Sequence, residues 1–289
     1  MMKHFIHQYI FMNLRRGKNP LFFVFILGVC FFVGCMAKSG HKLRFRESSD
    51  LAVPTFGVSG VSTGNFTFSF VGDIHLGGTD TSRLRTVLQA ARDNGDAFII
   101  FLGDMVDKGV RADFETFKAQ VNDFGFQDKA IYVIGNHDIF DEGWSSYRDL
   151  LGPSHYEITF GNCRFLVIDS ADGIVGEEQT EWLEARLKET GPAHTFILSH
   201  YMPLIPGQRT YLRLSNETEA THLMKMMSRF GVKAWLGSHY HSFIKQEIEN
   251  VTYLVAGGGG GRRMEPLKDF FYVRATVQGS NLSYQPHTF

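Results

Sequence analysis

Five short polar blocks in this sequence combine residue types that bind metal ions. The blocks are Asp73-Ile74-His75, Gly103-Asp104 with Asp107, Gly135-Asn136-His137-Asp138, Ser199-His200 and His239-Tyr240-His241. Carboxylate, amide and imidazole groups together can hold two divalent ions about 3.5–4 Å apart. A single zinc site would need only three or four ligands. The number and types of donors therefore indicate a dinuclear site.

Taken singly, each block is a weak signal. An Asp-x-His triplet is common, and it is equally a turn carboxylate beside a surface histidine. His239 and His241 could share one face of a strand end without binding anything. Five such blocks, each directly after an apolar stretch, are hard to obtain by chance. The joint pattern favours a metal centre.

The stretches before the blocks have the pattern of β-strands. FTFSFV alternates before Asp73, and AFIIFL runs without a polar residue into Gly103. Further strands are predicted at 130–134, 195–198 and 232–236. Ligand sites in open α/β sheets form at the carboxyl ends of strands, so these strands would bring the blocks together.

Helical periodicity alternates with these strands. Helices are predicted at 82–92, 112–124, 177–190 and 217–230. Two more strands, 156–160 and 163–169, surround a turn at Gly161-Asn162, and the last fifty residues contain three or four strands and no helix. This order predicts a layered α/β domain with two sheets.

The blocks resemble the motifs of the calcineurin-like metallophosphoesterase family, which run D-x-H, G-D-x-x-D, G-N-H-D/E, a single His and G-H-x-H. The match covers about Phe66 to His241 and extends to the C-terminal strands. The resemblance implies an α/β fold: a four-layered α/β/β/α sandwich of two mixed sheets. It also implies a dinuclear metal site at the carboxyl ends of the strands.

By the same resemblance, each position has an expected role. One ion would be bound by Asp73, His75 and His241, the other by Asn136, His200 and His239, and Asp104 would bridge both. The two divalent ions could be Mn, Fe or Zn, alone or mixed. A bridging hydroxide would then attack phosphorus.

Two further residues are expected to act in catalysis. The resemblance makes His137 a group that faces the leaving-group oxygen, as a proton donor or charge stabiliser. The resemblance also implies that Asp107 orients His137, in agreement with the ability of a carboxylate to fix an imidazole's tautomer. An alternative for Asp107 is a helix N-cap, and the sequence leaves both open.

The sequence departs from the family pattern at two positions. Ser238 stands where the family has glycine before the first histidine of the last block, with Gly237 one place earlier. Lys108 stands where protein phosphatases carry a phosphate-binding arginine; it could meet an anion as a point charge or face solvent. Neither change removes a ligand, so we expect an active enzyme.

A glycine run, Gly257 to Gly261, precedes Arg262 and Arg263. Free backbone N–H groups and close approach would suit a substrate edge or an anion, and the two arginines are candidate substrate-binding residues. The alternative is a tight turn without a ligand.

The N-terminus resembles an export signal. Leu21 to Val33 is thirteen apolar residues, within the roughly 7–15 of a signal-peptide core and short of the about 20 of a bilayer span. The segment ends in Val33-Gly34-Cys35, which resembles a bacterial lipoprotein box and implies a lipid anchor at Cys35. A plain signal peptide or a retained short anchor remain as alternatives. We expect residues 1–35 to be the signal, 36–64 a flexible linker and 65–289 the catalytic domain.

Composition excludes other classes. Apolar residues make up 44% and charged residues 20%, which is ordinary for a folded protein, and a net charge of −1 argues against nucleic-acid binding by bulk charge. The sequence predicts an exported, envelope-bound or secreted phosphoesterase acting on a phosphomonoester or phosphodiester. Alternatives are a catalytically silent metal-binding or scaffold protein and a hydrolase of non-phosphate substrates. The substrate would depend on loops such as 139–153 and 201–216.

Overall fold

The computed structural model describes residues 40–58, 62, 64–78, 80–205, 207 and 210–289. One compact unit runs from His41 to Phe289. The expected signal at 1–35, with Cys35, lies outside the described residues. Among the residues that are described, no helix has the length and apolar character needed to cross a membrane.

Two mixed sheets form the centre of the domain. The first has the order β11-β10-β1-β2-β3, with bounds β1 Asn65–Val71, β2 Ile99–Phe101, β3 Ala130–Tyr132, β10 Phe271–Gln278 and β11 Asn281–Thr288. The second has the order β4-β5-β6-β7-β9-β8, with bounds β4 Tyr156–Phe160, β5 Cys163–Val167, β6 His194–Leu198, β7 Ala234–Gly237, β8 Phe243–Ile248 and β9 Val251–Ala256. Strands β1, β2 and β3 are parallel, as are β5, β6, β7 and β9.

Alternation along the strands divides the apolar residues into layers. Phe66, Phe68 and Phe70 of β1 join a core that includes residues of both sheets, whereas Val71 belongs to a second cluster on the outer face. In the shared core, Phe68 stacks on Phe98 with ring centroids 4.8 Å apart. The sheets therefore pack face to face.

Helices cover both outer faces. The helices are α1 at 40–49, α2 Ser82–Asp93, α3 Arg111–Asp123, α4 Gly143–Leu151, α5 Glu177–Lys188 and α6 Glu217–Arg229. Residues of α2, α3 and α4 pack with the outer face of the first sheet, and residues of α5 and α6 with that of the second. The expected four-layered α/β/β/α sandwich is confirmed.

Helix α4 lies within 139–153, a stretch that the sequence predicts to be a loop. A short 3₁₀ turn, Phe140–Glu142, precedes it. Asp141 and Glu142 have left-handed backbone conformations, with φ of 49° and 63°. Such turns are not visible as apolar periodicity, which explains why the pattern missed them.

The sequence predicts a flexible linker at 36–64, but part of this segment forms helix α1 and packs on the domain. Helix α1 packs on the domain through Arg44, which is 4% exposed. Arg44 Nε donates to Asp169 Oδ2 at 2.7 Å, and its Nη2 to Asp172 Oδ2 at 3.0 Å. Trp144 Nε1 donates to Glu47 Oε2 at 2.6 Å. These partners lie more than 90 residues away, so a local pattern could not predict the contact.

We expect Arg44→Met to destabilise the protein strongly. The substitution keeps an apolar stem but leaves Asp169, which is fully buried, without its cation. Removing one member of a buried ion pair costs about 3–5 kcal/mol. The free energy of unfolding in urea measures this loss. Arg46→Met is the control, because Arg46 pairs with Glu178 at the surface and should change stability by less than about 1 kcal/mol. Equal effects of the two substitutions would contradict the assignment.

Candidate metal centre

The polar blocks meet where strand ends of the two sheets converge. Asp73 and His75 follow β1, Asp104 follows β2 and Asn136 follows β3 in the first sheet. The remaining ligand candidates follow β6 and β7 of the second sheet; they are His200, His239 and His241. The carboxyl ends of parallel strands are the usual place for a ligand site, and here two sheets contribute to one site.

Donor atoms come close enough to share metal ions. Three groups have ligand atoms within 4.8 Å of one another: Asp73, His75 and His241; His75, Asp104 and His137; and Asp104, His200 and His239. Asn136 Oδ1 lies 3.0 Å from His200 Nε2 and so adjoins the third group. The structure thus brings together all seven residues predicted as metal ligands, with Asp104 in two groups.

Four of these residues have a left-handed backbone. The φ values are 59° for Asp73, 52° for His75, 53° for Asp104 and 66° for His239. This conformation costs a non-glycine residue of order 1–3 kcal/mol and persists only where surrounding structure enforces it. Backbone hydrogen bonds do so here: Asp73 N–H donates to Gly103 O, and His75 N–H to Asp104 O. These hydrogen bonds therefore hold the ligand loops in place.

Glycines allow the ligand loops to approach one another. A Cβ at Gly103 would lie 2.5 Å from His200 Nδ1, and a Cβ at Gly135 would lie 2.2 Å from Asp104 Oδ1. Neither distance is compatible with a side chain. The glycines that begin the second and third blocks are needed for space beside the ligands.

Hydrogen bonds orient the imidazoles. His200 Nδ1 lies 2.9 Å from Leu102 O and 2.9 Å from Ser238 Oγ, which directs Nε2 towards Asp104 Oδ2 at 3.2 Å. His241 Nδ1 lies 2.9 Å from Arg262 O. A hydrogen bond to one ring nitrogen fixes which nitrogen is available to a metal.

Ser238, the departure from the family pattern, is accommodated by the opposite strand end. Its side chain is buried, and its hydroxyl donates to Leu102 O. A Cβ at Gly72 would lie 2.3 Å from the Cβ of Ser238. Because Gly72 has no side chain, the hydroxyl fits and helps to orient His200.

The surrounding imidazoles keep the two carboxylates ionised. Burial alone would raise the pKa of Asp73, but His241 and His200 lower it far below its ordinary range. Burial also opposes ionisation of Asp104, yet His200 holds its pKa below the ordinary value. In return, although burial disfavours the imidazolium, Asp104 and Asp73 raise the pKa of His200 to about 9. These carboxylates therefore favour the imidazolium form of His200, whose positive charge offsets their buried negative charge.

This donor set fits two divalent ions. Asp73 Oδ1 is buried and accepts no hydrogen bond from the residues that the structure describes, with His241 Nε2 3.2 Å away. Within the described part of the chain, the ion pairs of Asp73 and Asp104 are all with histidines. Burial and His200 lower the pKa of His239 to about 4, so this imidazole is neutral, as a metal ligand must be. Such a mixture of oxygen and nitrogen donors suits Mn, Fe or Zn.

His137 and Asp107 are close, but not through the contact that was expected. His137 Nδ1 lies 2.7 Å from the backbone carbonyl of Asp107, and 3.8 Å from its carboxylate Oδ1. That carboxylate instead lies 3.2 Å from His75 Nδ1. Asp107 does not cap a helix, because α3 has Val110 at its N-cap. Asp107 thus orients His75 through its carboxylate and His137 through its backbone carbonyl.

Asp138 is a residue of the site that the ligand assignment left out. It is fully buried; Oδ2 accepts from the N–H groups of Asp104 and Gly135, and Oδ1 from that of Val106. Burial and then Asp104 raise its pKa to about 8. Because Asp138 directly follows Asn136 and His137 in the sequence, its closeness to the site could be predicted. Its role in joining the second and third blocks depends on tertiary contacts and could not be predicted.

The glycine run is packed beneath the ligands. Gly259 N–H donates to Gly72 O, and Gly261 N–H to Asp73 O. A Cβ at Gly261 would lie 2.2 Å from His241 Cε1. These N–H groups are occupied by the ligand loop, which supports the turn interpretation over anion binding.

The two candidate substrate-binding arginines have different surroundings. Arg263 donates to the carbonyls of Gly257, Gly258, Gly261 and Asp269, and its guanidinium lies 4.2 Å from the ring centroid of Phe270. Burial lowers its pKa to about 10. Arg263 therefore holds the glycine run in place. Arg262 has an exposed side chain and orients His241 through its carbonyl.

The fold and the paired carboxylate–histidine groups define a dinuclear metallohydrolase type of domain. The sequence profile of the calcineurin-like phosphoesterase family matches residues 66–243, and the chain belongs to this family. The family uses a dinuclear site for divalent metals, in agreement with the donor groups found here.

Curated relatives include two bacterial phosphodiesterases. The 3',5'-cyclic adenosine monophosphate phosphodiesterase CpdA of Escherichia coli is 27% identical over 175 residues, which cover 57% of this chain and 62% of the relative. A cAMP/cGMP dual specificity phosphodiesterase of Mycobacterium tuberculosis is 26% identical, covering 59% of this chain and 60% of the relative. The chain thus spans about three fifths of the length of each of these relatives.

A solved structure has the same fold. A purple acid phosphatase from yellow lupin seeds superposes with a TM-score of 0.67 at 15% identity, covering 82% of this chain and 53% of that one.

We expect Asp104→Asn to lose bound metal. The amide still has an oxygen that can accept from His137 N–H, but the charge shared by two donor groups is removed. After dialysis of both proteins against Mn or Zn, elemental analysis should find about two ions per chain in the wild-type protein and fewer than one in Asp104→Asn. Asp123→Asn, an exposed change at the end of α3, is the control. Retention of two ions in Asp104→Asn would contradict the shared site.

Proposed function

We propose that this protein is a metal-dependent phosphoesterase whose active site uses two divalent ions. The observation that carries the proposal is the position of Asp104, whose Oδ2 lies 3.8 Å from His75 Nε2 on one side and 3.2 Å from His200 Nε2 on the other. Asp73, His75 and His241 would hold one ion, and Asn136, His200 and His239 the other. When bound, the ions would supply Lewis acidity at the phosphoryl group and lower the pKa of a water molecule towards about 7.

The protein's own residues would orient the ester and protonate its leaving group. His137 is partly exposed, and its ring centroid is 4.4 Å from that of His75, so it lies at the edge of the donor groups. Its Nδ1 is held by the carbonyl of Asp107, which leaves Nε2 for the oxygen that departs. A positioned general acid of this kind contributes about 10²–10⁴-fold to the rate.

The relatives favour phosphodiesters as the first substrates to test. The two curated relatives act on cyclic nucleotides, by their names. An exported enzyme would meet other diesters and monoesters, so aryl monoesters and bis-aryl diesters separate the two classes without assuming a natural substrate.

We expect His137→Ala to lower kcat by about 10²–10⁴-fold while two ions stay bound. The loss should be larger for an alkyl ester than for a 4-nitrophenyl ester, because the better leaving group needs less protonation. Steady-state kinetics on both esters, with metal analysis of the same samples, measure this. His222→Ala, an exposed histidine on α6, is the control.

The alternatives give different outcomes in the same assay. Two bound ions without turnover of any phosphate ester would favour a silent metal-binding or scaffold protein. Turnover of carboxylate or sulfate esters alone would favour a non-phosphate hydrolase. Equal losses of kcat for the alkyl and 4-nitrophenyl esters in His137→Ala would show that His137 does not protonate the leaving group.

We also propose that the protein is exported and anchored by lipid on Cys35. The proposal rests on the apolar segment Leu21 to Val33 and the Val-Gly-Cys sequence at its end. In a bacterial host, Cys35→Ser should move the protein from the membrane fraction and abolish labelling by a lipid precursor. Cys30→Ser, within the apolar segment, should change neither. Membrane association that survives Cys35→Ser would favour a retained anchor.

A further inference from the structure

An aromatic side chain lies beside the proposed proton donor without being buried. Phe140 is 45% exposed. Its ring centroid is 4.7 Å from that of His137, with the rings tilted by 49°. A large apolar side chain in this position is solvated in the free protein, and contact with an apolar ligand would remove that surface from water.

The backbone fixes Phe140 at this place. Asp141 and Glu142, directly after it, both have left-handed conformations, which cost of order 1–3 kcal/mol each. A Cβ at Gly109 would lie 2.1 Å from Phe140 O, so the 3₁₀ turn is pressed closely against the loop that follows Asp107. The turn therefore does not swing freely, and Phe140 is presented to solvent by a constrained segment.

The position of Phe140 beside the proposed proton donor, His137, gives this side chain a role in contacting the substrate. In the proposed mechanism the departing oxygen approaches His137, and the Phe140 ring, with its centroid 4.7 Å from that of His137, lies within reach of the attached alcohol. By the proposed mechanism, the alcohol attached to the departing oxygen is the part of a substrate that we expect nearest to Phe140.

We propose that Phe140 is a specificity-determining residue that packs against the leaving alcohol. The enzyme then prefers phosphate esters of aromatic or alkyl alcohols to esters of small polar alcohols such as glycols. This inference rests on the proposed phosphoesterase function and names the substrate class of that site.

A matched pair of esters tests the inference. Phosphate esters of 2-phenylethanol and of ethylene glycol both release primary alcohols, and they differ mainly in apolar surface. In Phe140→Ala we expect kcat/KM to fall about tenfold or more for the phenylethyl ester and to stay within about twofold for the glycol ester, since an apolar contact of this size discriminates by about 10–200-fold. Phe140→Leu should restore part of the preference. Leu43→Ala, an exposed apolar residue on α1, should leave both unchanged.

A binding measurement separates this inference from the proposed function. Titration calorimetry of the metal-loaded protein with 2-phenylethylphosphonate and 2-hydroxyethylphosphonate needs no turnover. Tighter binding of the phenylethyl compound that is lost in Phe140→Ala supports the inference even if neither monoester is hydrolysed. The proposed function fails separately, if the aryl monoesters and the bis-aryl diesters are not hydrolysed either. Equal binding of the two phosphonates by the wild-type protein, or equal losses for both esters in Phe140→Ala, would overturn the inference.

Discussion

Two carboxylates buried at the junction of the two sheets constrain which residues can surround them. Asp73 and Asp104 are almost inaccessible to solvent, and burying an ionised carboxylate is costly unless cations or hydrogen bonds compensate it. Histidines from both sheets surround them. The same imidazoles that offset the charge in the free protein are the donors that ions require, so charge compensation and metal binding depend on one set of residues.

The strained loops around this pair persist because the layers behind them are rigid. Ligand residues in left-handed conformations occur at strand ends, and the strands themselves pack in a core of phenylalanines between the sheets. A close-packed interior resists the small displacements that would release the strain. Asp138 and Ser238 add polar contacts from one loop to the next, which joins the ligand blocks into one unit.

The periphery of the site is built differently from its centre. The ligand loops are short and follow their strands directly, whereas Phe140 lies on a constrained turn that leads into α4, and α1 contacts α4 from a distant part of the chain. Variation in such segments can change the fit of a substrate without moving a ligand, because they do not carry the donors.

The sequence alone determined the fold class and the positions of the candidate donor blocks, because both depend on local order. Strand and helix periods alternate, and each candidate block follows a strand. Tertiary structure decided what depends on contacts between distant residues. Arg263 supports the glycine run, Asp107 turns its carboxylate to His75, and Arg44 pairs with Asp169 across 125 positions. No period or motif encodes such pairings, since they arise only when two sheets and their loops pack together.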